Sequence, residues 1–206
     1  AAQTYSDIPA SDGRRIMFSW MSGGQYPGMP FNQQFTVPRN LTLRETPQGI
    51  RLVIEPVKEL ESLRVSNPVT LSVKLKGNEI PVNIPDLKGE LLDIEFLFNL
   101  KNSESRDTSK TINIEIFGQT ISYRKNINTI EMEGIRAPLT PVDGKIKIRL
   151  ITDRTSVEMF ANDGSVQIAK CFVNSRKSPA SVIISGNQDL ESFETTVYNL
   201  RSVWKR

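Results

Sequence analysis

Few side chains in this sequence can carry acid–base or nucleophilic chemistry. Its 206 residues include no histidine and one cysteine, Cys171. That removes Ser-His-Asp and Cys-His arrangements and every His-ligated zinc or iron site. Carboxylates, hydroxyls, Lys, Tyr and Arg remain. Cys171 has no second cysteine to pair with, and it sits in the run Ile168-Ala169-Lys170-Cys171-Phe172-Val173. A small buried hydrophobe is expected there rather than a reactive thiol. Among the carboxylates, Asp93 and Glu95, and likewise Glu131 and Glu133, are two apart, so each pair shares a strand face. A solvated outer face of an antiparallel sheet accounts for both pairs. Asp153 and Glu158, five apart, fall on opposite faces if one strand joins them. A cross-strand hydrogen bond or ion pair, with Arg154 or Lys170, is expected of Glu158. Asn162-Asp163-Gly164 lacks the spaced carboxylates of a calcium loop. Ser22-Gly23-Gly24 lacks the Lys and following helix of a phosphate loop. No catalytic residue, metal ligand or cofactor is assigned.

The elements that would position these groups are almost all strands. Strands are expected at Arg15–Met21, Gln34–Val37, Leu41–Glu45, Ile50–Ile54, Val69–Leu75, Leu91–Phe98, Thr111–Phe117, Thr120–Arg124 and Lys145–Thr152. Thr155–Ala161, Val166–Val173, Ala180–Ser185 and Leu190–Leu200 complete the set. They are rich in Ile, Val, Leu and Phe and are punctuated by Gly, Pro, Asn and Asp. Thr155, Val157, Met159 and Ala161 alternate with Ser156, Glu158 and Phe160, and Asn162-Asp163-Gly164 then supplies the φ > 0 positions of a hairpin to Val166–Val173. A tight hairpin is also expected around Gly118. One or two helical turns fit Pro56–Leu63, with Pro56 at the first helical position. Lys101–Lys110 reads as an exposed loop. So many short strands at near-regular spacing imply an all-β fold, a two-layer antiparallel β-sandwich of jelly-roll or concanavalin-like type.

Composition narrows the classes further. A hydrophobic fraction of 38% with 24% charged residues is ordinary for a globular chain. The net charge of +3 comes without a long run of like charge, which argues against nucleic acid as a partner. No window approaches a membrane span, so no membrane insertion is expected. The first residues lack the basic start and apolar run of a secretory leader.

Three segments, in order, resemble glycoside hydrolase family 32, the invertases, inulinases and levanases. GRRIMFSWM (Gly13 to Met21) with QFTVPRNLTLR (Gln34 to Arg44) looks like the end of that family's five-bladed propeller and the way into its sandwich. DRTSVEMFANDG (Asp153 to Gly164) resembles a strand–turn segment of the sandwich, which implies structural roles for Asp153, Arg154, Glu158, Asn162, Asp163 and Gly164. YNLRSVW (Tyr198 to Trp204) looks like the closing strand, with Trp204 in the core. The resemblance implies a division at the Gly- and Pro-dense residues 22–32. Residues 1–32 would be a remnant of the last blade plus linker, too short to fold alone, and 33–206 the sandwich. It also implies a retaining β-fructosidase parent acting on levan, inulin or sucrose-type carbohydrate, with the N-terminal propeller of the same enzyme as partner. A secreted or periplasmic parent fits, and a homo-oligomer stays open, because the sandwich aids oligomerisation in some relatives.

Retaining cleavage uses two carboxylates about 5–5.5 Å apart. The family supplies its three catalytic carboxylates from Trp-Met-Asn-Asp-Pro, Arg-Asp-Pro and Glu-Cys. None of these motifs occurs here: Arg106-Asp107 is followed by Thr108, and Cys171 is preceded by Lys170. The family places a Trp near the sugar in the segment that holds Trp20, which makes Trp20 a candidate substrate contact; propeller–sandwich packing is its competing role. Where the family often has a second Trp, this chain has Gly24, and Tyr26 is the candidate replacement surface. A carbohydrate-binding module and a non-catalytic interaction domain are the alternative readings.

Overall fold

A computed structural model describes residues 1–24, 26, 30–46, 49–75, 82–84, 87, 89–102, 111–172, 182–185 and 189–203. Alternating apolar residues build two facing six-stranded sheets. β1 (Ala2–Thr4), β2 (Arg15–Met21), β3 (Gln34–Phe35), β4 (Arg39–Thr46) and β5 (Gly49–Pro56) come first, followed by a 3-10 helix at Lys58–Leu63. β6 (Arg64–Lys74), β7 (Val82–Ile84), β8 (Leu92–Leu100), β9 (Ile112–Ile116), β10 (Gln119–Arg124), β11 (Thr129–Met132) and β12 (Ile135–Pro138) come next. β13 (Lys145–Asp153), β14 (Ser156–Ala161), β15 (Val166–Cys171), β16 (Val182–Ser185) and β17 (Leu190–Leu200) close the chain. One sandwich sheet has the order β15-β14-β13-β8-β17-β6, the other β12-β11-β10-β9-β16-β7. Leu92, Ile94, Phe96, Phe98 and Leu100 of β8 show the principle, five alternate residues all buried in one core with Ile114, Ile121, Ile148, Met159 and Phe193. Each such side chain stabilises the fold by roughly 1.5–3 kcal/mol through removal from water.

Turn chemistry sets the registers. Phe117 and Gly118 both have positive φ, 51° and 75°, and join β9 to β10 in the two-residue hairpin that right-handed strand twist favours. Asn162, Asp163 and Gly164 are likewise left-handed at 43°, 53° and 80°, and β14 pairs with β15 from Ser156↔Cys171 to Ala161↔Val166. Pro56 ends β5 rather than starting a helix, and the turn that follows is 3-10.

The first five strands form a separate sheet, β1-β2-β4-β5 with β3 on β2. A division at residue 32 falls inside this sheet, because β4 pairs with β2 (Arg15↔Leu41 to Met17↔Arg39) and β5 with β4. The sandwich sheets begin only at Arg64. Trp204 and residues 103–110 of the expected loop lie outside the described residues.

Candidate functional site at the joint between the first sheet and the sandwich

Val157, Met159 and Ala161 of β14 face the sandwich core, so Ser156, Glu158 and Phe160 face the other way. On that side stands the segment following β3. The Val37 N–H donates to Glu158 Oε1 at 2.7 Å, and Arg39 Nη2 donates to Oε2 at 2.6 Å. The two side chains are only 4% and 3% exposed. The Arg39 guanidinium lies 5.7 Å from the Phe160 ring centre, adding a cation–π contact. Pro38 keeps Val37 extended, and Val37 lies two residues beyond the end of β3, where its N–H serves Glu158 instead of a ladder partner. Burial is the largest influence on the Glu158 carboxyl and raises its pKa; Arg39 and the Val37 N–H oppose it.

Neither expected partner of Glu158 is the real one. Lys170 is opposite Val157 in the ladder and therefore shares that residue's face, away from Glu158. Arg154 sits in the turn after β13 and reaches Glu90 at 3.4 Å. The same turn corrects the placement of Asp153. It ends β13 and pairs with Ser156, so Asp153 and Glu158 share a face across a hairpin instead of opposing each other on one strand. Asp153 Oδ1 accepts the Arg154 N–H at 2.7 Å.

The hairpin tip completes the joint. The Ile54 N–H of β5 donates to the Gly164 carbonyl at 3.0 Å, and Arg44 Nη1 donates to the Asp163 carbonyl at 3.3 Å. A Cβ on Gly164 would lie 2.5 Å from the Ile54 carbonyl oxygen, so close approach as well as a positive φ calls for glycine. Asn162 braces the tip, its Oδ1 accepting the Lys147 N–H at 3.0 Å and its Nδ2 donating to the Thr140 carbonyl at 2.8 Å. Asp163 pairs with Lys147 Nζ at 3.0 Å.

Among the other carboxylate pairs, Asp93 departs from the solvated face expected. Asp93 is 1% exposed. Arg149 grips it through Nε and Nη2, both at 2.8 Å, and Arg64 Nε reaches it at 2.8 Å. Arg64 also binds Glu95 and stacks 3.7 Å from the Tyr198 ring centre. Glu131 does lie on an outer face, paired with Arg136 at 2.6 Å. Glu133 is in the β11–β12 turn with φ 49°. Cys171 is half-buried, and burial raises its thiol pKa, consistent with an inert side chain.

Trp20 is 44% exposed, its indole N–H donating to Gln33, and Phe35 opposite it in register is 63% exposed. Phe18 links Phe35 to Tyr5, with ring centres 5.0 and 5.3 Å away. Tyr26 lies apart from this group. Its ring covers Gly24, Phe31 tilts against it at 5.6 Å, and its hydroxyl donates to Gln34. Among the described residues the exposed large aromatics are Tyr5, Trp20, Phe31 and Phe35, none of them in the sandwich. No cluster of three or more metal-ligating residues occurs among the described residues, and no described helix is long and apolar enough to cross a membrane.

Chemically, this joint holds one buried carboxylate already neutralised by an arginine. That is the chemistry of a clamp. Residues 59–199 match the model of the C-terminal domain of glycosyl hydrolases family 32. The chain belongs to this family. A levanase of Bacillus subtilis is 30% identical over 99% of the chain and 33% of its own length. A sucrose-6-phosphate hydrolase of Zymomonas mobilis is 29% identical over 81% of the chain and 34% of its own. The chain thus spans about a third of the length of these family 32 relatives. Exo-inulinase from Aspergillus awamori superposes with a TM-score of 0.80 at 20% identity, over 98% of this chain and 43% of that one. β-Fructofuranosidase from Schwanniomyces occidentalis gives 0.76 at 19%, over 98% and 47%. At these identities the structures establish the shared fold, all-β with a family 32 sandwich.

Proposed function

We propose that this chain is the C-terminal part of a retaining β-fructosidase that acts on levan, inulin or sucrose-type carbohydrate, and that its own role is structural. The first sheet is the closing part of a propeller, and the sandwich holds it in place. The observation that carries this reading is the buried Arg39–Glu158 pair, which joins two sheets through two segments that resemble family 32. Apolar residues on both faces of the first sheet support it. Leu43 and Leu52 are cross-strand neighbours, 74% and 51% exposed, with Ile50 beside them at 66%. Tyr5 and Phe35 fall on the opposite face by register. A propeller blade is covered on both faces by its neighbours, which fits a sheet apolar on both sides. The partner is accordingly the N-terminal propeller of the same enzyme.

The carbohydrate-binding-module reading is less well supported, since no described sandwich residue offers an exposed aromatic platform. Catalysis by this chain would need a second carboxylate facing the first, whereas Glu158 faces Arg39. Residues 1–206 incubated with levan, inulin or sucrose should release no more reducing sugar than a protein-free blank. Turnover that survives purification and disappears in Glu158→Gln overturns the proposal.

A further inference from the structure

The segment from Gln34 to Arg39 runs along the sandwich strand that starts after Thr155. Thr155 Oγ1 donates to Gln34 Oε1 at 3.0 Å, while Val37 and Arg39 bind Glu158. The same segment is the ladder partner of β2 where β2 carries Trp20. Trp20 pairs with Phe35 and Met21 with Gln34. Just beyond, the Thr36 N–H donates to the Ser19 carbonyl at 2.8 Å and the Ser19 N–H to Thr36 Oγ1 at 3.0 Å. A ladder of two residues is too short to hold itself in place, so its position comes from what it is anchored to.

Gln34 is engaged through both its amide oxygen and its amide nitrogen. Its Oε1 accepts from both Thr155 and the Tyr26 hydroxyl, using both lone pairs, and its Nε2 lies 3.5 Å from the Met21 sulfur. Gln33, the preceding residue, accepts the Trp20 indole N–H. Tyr26 closes the loop from the other side. A Cβ at residue 24 would come within 2.7 Å of its hydroxyl and 3.0 Å of its ring, so Gly24 leaves room for Tyr26 to fold back onto Gln34. Tyr26 thus braces Gln34 through its hydroxyl.

We infer that Thr155 and Gln34 are positioning residues for Trp20: the sandwich fixes Gln34, Gln34 fixes β3 and its neighbour Gln33, and these set the indole whose open face is left to stack on a sugar ring. The sugar in that statement rests on the function proposed above. The coupling from sandwich to indole does not, since it is a property of residues 1–206 alone.

The test is tryptophan fluorescence in a Trp204→Phe background, where Trp20 is the sole reporter. Thr155→Val keeps side-chain volume and removes the hydroxyl. Acrylamide quenching of Trp20 should rise by up to about twofold, the headroom of a ring already 44% exposed, and anisotropy should fall. Thr155→Ser should restore both. Gln34→Met, which leaves the sandwich hairpin intact, should give the same shift and serves where Thr155→Val disturbs folding. Quenching and anisotropy unchanged in both variants, with Gln33→Leu altering them, would overturn the coupling. Because the readout is the indole rather than fructan cleavage, this failure is distinguishable from failure of the proposed function.

Discussion

Replacing Arg39 by Met removes the cation from a carboxylate that is 3% exposed and leaves one backbone N–H as its remaining hydrogen-bond partner. Breaking a buried pair from one side costs about 3–5 kcal/mol, because the surviving charge is desolvated and unpaired. At roughly 2–4 °C per kcal/mol for a chain of this size, the melting temperature should fall by roughly 6–20 °C. The pH dependence gives a sharper signature. Burial already raises the Glu158 carboxyl, and Arg39 is the main influence holding it down, so the variant raises it further. A carboxyl whose folded pKa lies above its unfolded value contributes stability in full below the unfolded pKa and loses it as pH rises through the folded one. The penalty of Arg39→Met relative to the parent chain should therefore be large at pH 8 and shrink toward pH 5. The double variant Arg39→Met/Glu158→Leu replaces the pair by apolar groups and should return to within about 1 kcal/mol of the parent. Urea unfolding followed by circular dichroism at several pH values measures all three. A penalty below about 1 kcal/mol at pH 8, or one that grows in acid, refutes the reasoning.

Gly164→Ala should cost more than about 1 kcal/mol in thermal unfolding, since its φ is +80° and its Cβ meets the Ile54 carbonyl. Gly144→Ala, with a similar φ and open space around it, should cost less; equal losses would remove the close-approach argument. Asp93→Asn should destabilise by about 3 kcal/mol in urea because Arg149 and Arg64 lose their shared buried anion, and a loss within experimental error contradicts this. Arg14 binds Asp12 and holds its carboxyl at about 2. The contribution of that depressed group is present above its unfolded pKa and lost as pH falls through about 2; a carboxyl titration by NMR near the ordinary value of about 4 speaks against the contact.

The strong alternations and the turn residues were legible in the sequence. β8, β13, β14 and the Asn162-Asp163-Gly164 hairpin fall where period-2 patterning and φ > 0 residues put them. β1, β7, β11 and β12 were not legible, because runs of three or four residues carry too little periodicity. Ile135–Pro138 even contains an Arg and a Pro. Glu158 stood out within its segment, yet its partner lies 119 residues away in Arg39. Local spacing favours sequence neighbours such as Arg154 and Lys170, and only the β14–β15 register shows that Lys170 faces the other side. The same limit hid the burial of Asp93. Its outward strand position was readable, but the arginines and Tyr198 that cover it come from β6, β13 and β17. Trp20 was visible by resemblance, whereas the Gln33–Gln34 pair beside it gave no signal of its own.

Fructose release by two proteins tests the structural role most directly: residues 1–206 alone, and a longer protein in which a family 32 N-terminal propeller precedes them. The account predicts that the longer protein cleaves levan, inulin or sucrose and that residues 1–206 match the blank. Equal turnover by both, or a longer protein that releases no fructose from any of the three, would contradict it.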